Sequence, residues 1–241
     1  MEQKSALVVS AHSADFVWRA GGAIASHVKQ GYRVKIICLS YGERGESAKL
    51  WRKPGMTLEK VKAARQEESQ RAADILGAEV EFWDIGDYPM RISEEVLFRL
   101  VDTYRELQPE FVLSHSVKDP YNFDHPLAMH LAQEARIVAQ AEGHNPGSKI
   151  IGAPAIYAFE PHQPEQCEWE PNTFLDITDV WDKKFQAIEC MAGQEHLWDY
   201  YTRVALQRGV QAKRNIGITS ARAIKYAEGY MQLTPNVRDT L

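Results

Sequence analysis

Two histidines and an aspartate follow predicted strands, and their residue types suit a metal ion. His12 and Asp15 come directly after the first predicted strand, and His125 ends the loop after the fourth. Imidazole nitrogens and carboxylate oxygens bind zinc, and a catalytic zinc keeps three protein ligands and one open position for water or substrate. The pattern therefore predicts a catalytic zinc centre. The alternative is that His12 caps a helix and His125 is a surface histidine.

Two further polar residues belong to the same loop as His125, after the fourth predicted strand. Asp124 and His115 are predicted to orient a ligand ring from behind. The same ligand types also suit iron(II), cobalt(II) and manganese(II), because geometry and availability, and not affinity alone, select the ion. Zinc is the expected ion, and these three are its alternatives.

The elements that must position these residues alternate between strand and helix. Runs rich in β-branched and apolar residues predict strands at 6–11, 34–40, 80–85, 111–114 and 155–159. Apolar residues at helical spacing predict helices at 19–29, 58–76, 94–107 and 126–141. This alternation is typical of an α/β protein with a Rossmann-like, doubly wound and mainly parallel sheet flanked by helices. In such sheets the ligand crevice lies beyond the carboxyl ends of the strands.

The last third of the chain is predicted to be largely helical. Helical patterns cover 181–207 and 220–230, so we expect a helical extension from about residue 180. No boundary requires two domains, and we expect residues 1–241 to form one domain.

Composition narrows the class of protein. Hydrophobic residues make up 44% and charged residues 25% of the 241 residues, as in ordinary globular proteins. A net charge of -5 gives no broad basic surface, so a nucleic-acid partner is not expected. Neither a signal peptide nor a membrane span is expected, and three scattered cysteines fit no disulfide framework. We therefore expect a cytoplasmic protein that binds a small molecule. Because closed homo-oligomers are common among enzymes, we also expect the chain to form one.

Several motifs resemble those of a known family. Residues 8–15, followed by Gly21 and Gly22, resemble the Ala-His-Pro-Asp-Asp-Glu signature of the PIG-L/LmbE-like deacetylases, which act on N-acetylglucosaminyl compounds. Residues 40–43 resemble the end of its second strand, 65–68 its Arg-x-x-Glu helix, and 124–125 its distal Pro-Asp-His motif. The resemblance extends from about residue 6 to 159. It implies an LmbE-like fold.

The resemblance also implies roles for individual residues. His12, Asp15 and His125 match the zinc ligands of the family. Ala14 stands where the family has the aspartate that activates water, and a methyl group cannot accept a proton. Because losing a general base typically lowers a rate ~100- to 10,000-fold, ordinary amide hydrolysis should be badly impaired. Phe16 likewise replaces the last glutamate of the signature.

A glycine-containing segment after the second strand contains the candidates for a replacement base. Gly42 and Gly45 permit a tight turn that directs Glu43 or Glu46 toward the crevice. We predict Glu46 as the base, Glu43 as the second candidate, and His162, after the fifth strand, as the acid. The alternatives are a solvated charged loop and a turn histidine at the surface.

One branch of the family is similar over longer stretches. Residues 5–25 and 42–51 resemble the 4-oxalomesaconate hydratases, also called 4-carboxy-2-hydroxymuconate hydratases, of gallate and protocatechuate breakdown. This implies a metal-dependent hydro-lyase that adds water to a tricarboxylic acid and gives 4-carboxy-4-hydroxy-2-oxoadipate. The substrate carboxylates need positive partners, for which Arg44, Lys49 and Arg19 are the candidates. The alternatives are an N-deacetylase of an N-acetyl sugar or related conjugate, and a non-catalytic metal- or anion-binding protein.

Overall fold

A computed structural model describes residues 3–217 and 219–237 of the chain. Within these ranges a sheet of seven strands runs in the order β3-β2-β1-β4-β5-β7-β6. Its strands are β1 (Ser5–Ser10), β2 (Arg33–Cys38), β3 (Glu79–Phe82), β4 (Phe111–Ser114), β5 (Ala155–Phe159), β6 (Thr173–Asp176) and β7 (Ala227–Gln232). The first five strands pair in parallel, whereas β7 pairs antiparallel with both β5 and β6. The α/β, mainly parallel fold predicted from the sequence is confirmed.

Helices cover both faces of this sheet. They are α1 (Asp15–Lys29), α2 (Ala48–Trp51), α3 (Leu58–Leu76), α4 (Glu94–Leu107), α5 (Asp124–Ala139), α6 (Trp181–Glu189) and α7 (Trp198–Asn215). Helices α1, α3 and α6 pack together, and α4 packs against α5 in a separate layer. Strand β1 is buried throughout, because Ala6 and Val8 join one apolar core and Leu7 and Val9 join the other. A strand covered on both faces reads as the continuous apolar run seen in the sequence.

The strand order reverses at β1, which lies between β2 and β4. Crossover connections leave from β1 toward β2 and from β4 toward β5, so the loops after β1 and β4 border a crevice at their carboxyl ends. The sheet thereby brings residues about 110 positions apart in the chain to one place.

In the last third of the chain, one secondary-structure prediction was wrong and one strand was not predicted. Residues 220–230 were expected to be helical, but Ala227–Gln232 is a strand held by ladders to β5 and β6. Strand β6 was not predicted. A short run with few apolar residues carries little periodicity, and long-range strand pairing decides its conformation.

The predicted strand at 80–85 ends early, because the chain turns there. Strand β3 stops at Phe82, and both Asp84 (φ 55°) and Gly86 (φ 83°) adopt left-handed backbone conformations.

Among the described residues, no helix is both long enough and apolar enough to cross a membrane.

Candidate metal centre

The turn between β1 and α1 supplies the first two predicted ligands. The Ser10 hydroxyl donates to the His12 carbonyl at 2.8 Å, and the His12 amide donates to Asp15 Oδ2 at 3.0 Å. Asp15 is also the first residue of α1, where a carboxylate is favoured by the exposed amides of the helix terminus. Local hydrogen bonding therefore fixes the relative position of these two side chains.

The predicted ligands converge at the carboxyl ends of β1 and β4. His12, Asp15, Glu46 and His125 each offer one ligand atom, and these four atoms all lie within 4.8 Å of one another. His12 Nδ1 is 3.1 Å from Asp15 Oδ2 and 3.2 Å from Glu46 Oε1. His125 Nε2 is 3.6 Å from Asp15 Oδ1. Two imidazoles and two carboxylates at these distances form a group that can hold a divalent metal ion.

The ring of His125 is oriented by a residue that the sequence patterns did not identify. Asp119 Oδ2 lies 2.8 Å from His125 Nδ1, and a carboxylate accepts a hydrogen bond only from a protonated nitrogen. The lone pair of the neutral ring is then on Nε2, which is buried and has no hydrogen-bond partner in the described ranges. A buried polar atom without a partner calls for an explanation, and a metal ion at this point supplies one. The residues present therefore fit a metal ion.

The ring of His12 is also oriented by a carboxylate, but through its other nitrogen, Nε2. Asp124 Oδ2 lies 3.2 Å from His12 Nε2, and the Asp124 carboxylate also accepts the amides of Tyr88 at 3.1 Å and Met90 at 3.0 Å. Donation from Nε2 leaves Nδ1 as the atom that faces Asp15 and Glu46. Asp124 thus contacts a predicted ligand, as expected of an orienting residue.

His115 contacts the other predicted ligand by stacking. Its ring lies parallel to that of His125, with 4.2 Å between centroids, and its Nε2 accepts the Ala11 amide at 2.9 Å. Burial, together with the neighbouring His125, holds the pKa of His115 well below its usual range. His115 is therefore a neutral packing partner of the cluster.

Electrostatic interactions keep the carboxylates of the cluster ionised. Burial alone would raise the pKa of Asp15, but His125 and His12 hold it well below its usual value. Burial likewise opposes ionisation of Glu46, yet the His12 side chain lowers its pKa. The pKa of His12 is raised despite burial, because Glu46, Asp124 and Asp15 surround the ring. This surplus of negative charge favours a bound cation.

A cavity of about 310 Å³ opens beside the cluster. Its lining combines Asp15, Glu46 and His125 of the cluster with polar and aromatic side chains from other parts of the chain, among them Arg19, Tyr88, His162, Gln194, His196 and Tyr201. Arg19 is buried, with Nε 3.3 Å from Asp15 Oδ1 and Nη1 donating to the Glu160 carbonyl at 2.7 Å. Burial opposes the charge of Arg19, but Tyr201, Asp15 and Glu46 raise its pKa, so the cation is retained at the cavity wall.

Glu46 lies in this cavity, and Glu43 does not. The Asp87 carboxylate accepts the backbone amides of Arg44 (2.9 Å) and Gly45 (2.8 Å), which fixes the turn between the two glutamates. Glu43 is buried on the other side, 3.4 Å from the Arg44 guanidinium and 4.0 Å from the Lys62 ammonium. The structure therefore brings the first candidate base to the metal cluster and leaves the second outside.

Of the three predicted substrate-binding cations, only Arg19 lines the cavity. Arg44 pairs with Glu43 and lies 4.0 Å from Asp87. Lys49 Nζ lies 3.0 Å from Glu195 Oε2 and donates to the Ala192 carbonyl at 3.2 Å. Arg44 and Lys49 thus hold neighbouring segments of the protein.

His162, the predicted acid, lies at the rim of the cavity. Its ring stacks on Tyr200 with 4.4 Å between centroids, and its Nδ1 is 3.4 Å from the Tyr201 hydroxyl. Partial burial and then the Arg19 cation lower the pKa of His162. The tyrosine contacts hold the imidazole facing the cavity. Tyr88 and Gln194, by contrast, carry no motif or periodicity from which sequence reasoning could have found them.

The fold and the cluster together define a class of protein. Residues 7–136 match the PIG-L family, described as GlcNAc-PI de-N-acetylase, and the chain belongs to this family. The match ends before His162 and Gln194, so part of the cavity wall lies beyond it.

Two of the proteins that are similar to this chain over nearly its full length are named as hydratases. The chain is 76% identical over 239 residues to the 4-oxalmesaconate hydratase of Pseudomonas putida KT2440, a match that covers 99% of this chain and 93% of that protein. The crystal structure of GalB, the 4-carboxy-2-hydroxymuconate hydratase from the same strain, matches with a TM-score of 0.98 and 75% identity over 99% of this chain and 100% of that one. The N,N'-diacetylchitobiose deacetylase of Pyrococcus horikoshii, at 23% identity, 96% and 84% coverage and a TM-score of 0.77, shares the fold.

Proposed function

We propose that the chain is a metal-dependent hydro-lyase that adds water to 4-oxalomesaconate and gives 4-carboxy-4-hydroxy-2-oxoadipate, in gallate and protocatechuate catabolism. The observation that carries this proposal is the 76% identity to a 4-oxalmesaconate hydratase over 99% of the chain. The geometry of the metal cluster supplies the physical support.

The position of the base favours hydration over deacetylation. Ala14 is buried where the family has its water-activating aspartate, and its methyl group cannot take a proton. Glu46 arrives from a different loop, and its carboxylate lies 3.2 Å from His12 Nδ1. Because the pKa of Glu46 is lowered, the group is ionised at neutral pH and can accept a proton. We therefore propose that Glu46 serves as the base in place of the family's aspartate at the position of Ala14.

We assign His12, Asp15 and His125 as the ligands of a zinc ion. When bound, such an ion supplies a Lewis acid for the 2-oxo or enol oxygen of the substrate. Glu46 removes a proton from water as the water oxygen bonds to the carbon that becomes C4 of the product. The electron pair of the double bond moves toward the conjugated carbonyl group. His162 then delivers a proton to the adjacent carbon.

The cavity charges suit a small polycarboxylate. The buried Arg19 guanidinium lies in the cavity wall, and we propose that it binds one substrate carboxylate. A bound polyanion beside His162 raises the pKa of the imidazole from its lowered value, because a nearby negative charge favours the protonated ring. Substrate binding thereby favours protonation of His162 before the step in which it donates a proton.

The decisive experiment is a hydration assay on purified protein loaded with zinc. Loss of the ultraviolet absorbance of 4-oxalomesaconate, with formation of 4-carboxy-4-hydroxy-2-oxoadipate, is the expected result. Acetate release from a panel of N-acetyl sugars, without hydration, would instead support the deacetylase alternative. Tight binding of the tricarboxylate without any product would support the non-catalytic alternative.

We also propose that the chain assembles with further copies of itself through the outer face of α5. Phe123 is 79% and Ile137 65% exposed, and Leu127 and His130 lie on the same face. In an antiparallel pair of these helices, Leu127 can face Ile137 of the second copy while His130 faces Glu134, so the surface is complementary to itself. Light scattering should give a mass above that of one chain, reduced by Ile137→Lys. A monomeric wild-type protein would contradict this.

A cytoplasmic location is proposed on the state of the thiols. Cys38, Cys167 and Cys190 are free and buried, as is usual for proteins of a reducing compartment. Recovery of the activity in the soluble cell fraction after gentle lysis, without release by osmotic shock of the envelope, is the expected outcome.

A further inference from the structure

Gln194 forms part of the cavity wall. Gln194 lies in a 3-10 segment, Ala192–Leu197, and has a non-helical backbone (φ -128°, ψ 34°) inside that segment. It is buried, although Ala192, Glu195 and His196 of the same segment are exposed. A buried amide on an irregular segment needs hydrogen-bond partners that justify its position.

Arg65 fixes which way this amide points. Its Nη2 donates to Gln194 Oε1 at 2.8 Å, from a side chain that is fully buried. A guanidinium has only donors, so it can bind the oxygen of an amide and not the nitrogen. The NH2 group of Gln194 must therefore face away from Arg65, and in the described ranges no protein acceptor takes its hydrogens. Because Gln194 lines the cavity, its NH2 group is the part of the amide left free to contact a ligand there.

Arg65 is itself held in place on two further sides. Its Nη1 donates to Glu68 Oε2 at 2.8 Å, and its Nε reaches the Tyr41 carbonyl at 3.4 Å. Glu68 Oε1 accepts the Gly193 amide at 2.8 Å, one residue before Gln194. The ion pair thus ties helix α3 to the segment that carries the amide. Rotating the amide would place NH2 against a guanidinium and break the bond between them.

We propose that Gln194 is a specificity-determining residue whose NH2 group binds a substrate carboxylate, with Arg65 as its positioning residue. This rests on the proposed function, because a tricarboxylate must be bound in a cavity that already holds Asp15, Glu46 and the Asp119 carboxylate. Fixed donor groups are what such an anion requires, and the Arg19 guanidinium is one of them. A preoriented neutral amide adds a second without further charge.

The first experiment compares Gln194→Glu and Gln194→Met with wild type in the zinc-loaded protein. Glutamate can keep the bond to Arg65, so its second oxygen replaces the NH2 group and repels the substrate. Methionine fills similar space without donors. Both KM for 4-oxalomesaconate and the dissociation constant for propane-1,2,3-tricarboxylate, measured by calorimetry, should rise about tenfold or more, the scale of a hydrogen bond to a charged group. The metal content should stay at the wild-type level.

The matched control is Gln163→Glu, which makes the same charge change in the same cavity. In the described ranges the Gln163 side chain has no partner that fixes its amide, so the new carboxylate can turn toward solvent, and KM should rise clearly less. Equal increases in both glutamate variants would show a general charge effect and overturn the proposal. So would unchanged KM in Gln194→Met, or no tricarboxylate binding by wild type.

The positioning role of Arg65 has its own test. Arg65→Lys keeps the cation but loses the planar fork, so the amide can rotate. KM should rise while kcat changes less, a division that general loss of structure would not give. If this variant does not fold, Gln194→Met decides the proposal. A wild-type protein that binds the tricarboxylate through Gln194 but does not hydrate 4-oxalomesaconate would refute the proposed function and leave the anion site standing.

Discussion

The two walls of the cavity differ in where they come from in the chain. The metal wall consists of His12, Asp15, Glu46 and His125, all within the part that matches the family, 7–136. The opposite wall takes His162, Gln194, His196 and Tyr201 from beyond that match. The family framework therefore carries the residues that we assign to the ion, and the later part of the chain completes the cavity beside them.

The walls also differ in how their side chains are held. Metal-wall rings are fixed by carboxylates, as in the pairs of His125 with Asp119 and His12 with Asp124. The opposite wall is fixed by stacking, as in His162 on Tyr200, and by the Arg65 clamp on Gln194. Loss of an assigned ligand from the first wall should remove metal and rate together, whereas loss of the Gln194 amide from the second should change substrate binding.

The largest effect is expected from His12→Ala and His125→Ala. Each removes one of three assigned protein ligands, so metal and hydratase activity should both be lost. Metal per chain, measured by plasma mass spectrometry after dialysis against a weak chelator, checks this. The control is His144→Ala, whose ring packs against Phe98 and does not line the cavity, and which should keep both. Full metal content in either ligand variant would refute the assignment.

A smaller but still large effect is expected from Glu46→Gln. This change keeps the size of the side chain and removes its proton-accepting capacity, so kcat should fall ~100-fold or more. Metal should remain, because three ligands are left. The matched control is Glu43→Gln, outside the cavity, which should be milder. Near-normal turnover in Glu46→Gln would exclude it as the base, and His162 would then be replaced next.

Asp119→Asn tests the support of the metal wall. An amide can still bind the ring but no longer favours the tautomer with its lone pair on Nε2, and loss of such a partner typically costs ~10- to 100-fold in metal affinity or activity. Competition with a chelator of known affinity measures the change in metal binding. Unchanged metal affinity would show that the 2.8 Å contact does not position the ligand.

The smallest effects are expected from the exposed cations. Arg44→Gln and Lys49→Gln each break partly exposed ion pairs of about 0–1 kcal/mol, so KM should change less than about fivefold. Arg19→Gln, at the cavity wall, should raise KM more than either. If Arg44→Gln raised KM as much as Arg19→Gln, the division between cavity and loop cations would be wrong.

Much of the metal wall could be predicted from the sequence. Continuous apolar runs predict buried parallel strands, and residues that follow such strands meet at one edge of the sheet. His12 and His125 are therefore placed together by topology alone, and Glu46 follows from two glycines after the second strand.

Other features were decided only by the tertiary structure. Gln194 is bound to Arg65 across 129 residues, and Asp87 turns Glu43 away from the cavity across more than 40. Strand β7 likewise depends on its hydrogen-bonded pairing with β5 and β6. Its own residues do not alternate between apolar and polar types, so the sequence gives no sign of a strand there. The spacing of apolar residues within a helix or strand indicates which of its faces is apolar. The partner of a buried polar group depends on which distant segment the packing brings within about 3 Å, the range of a hydrogen bond.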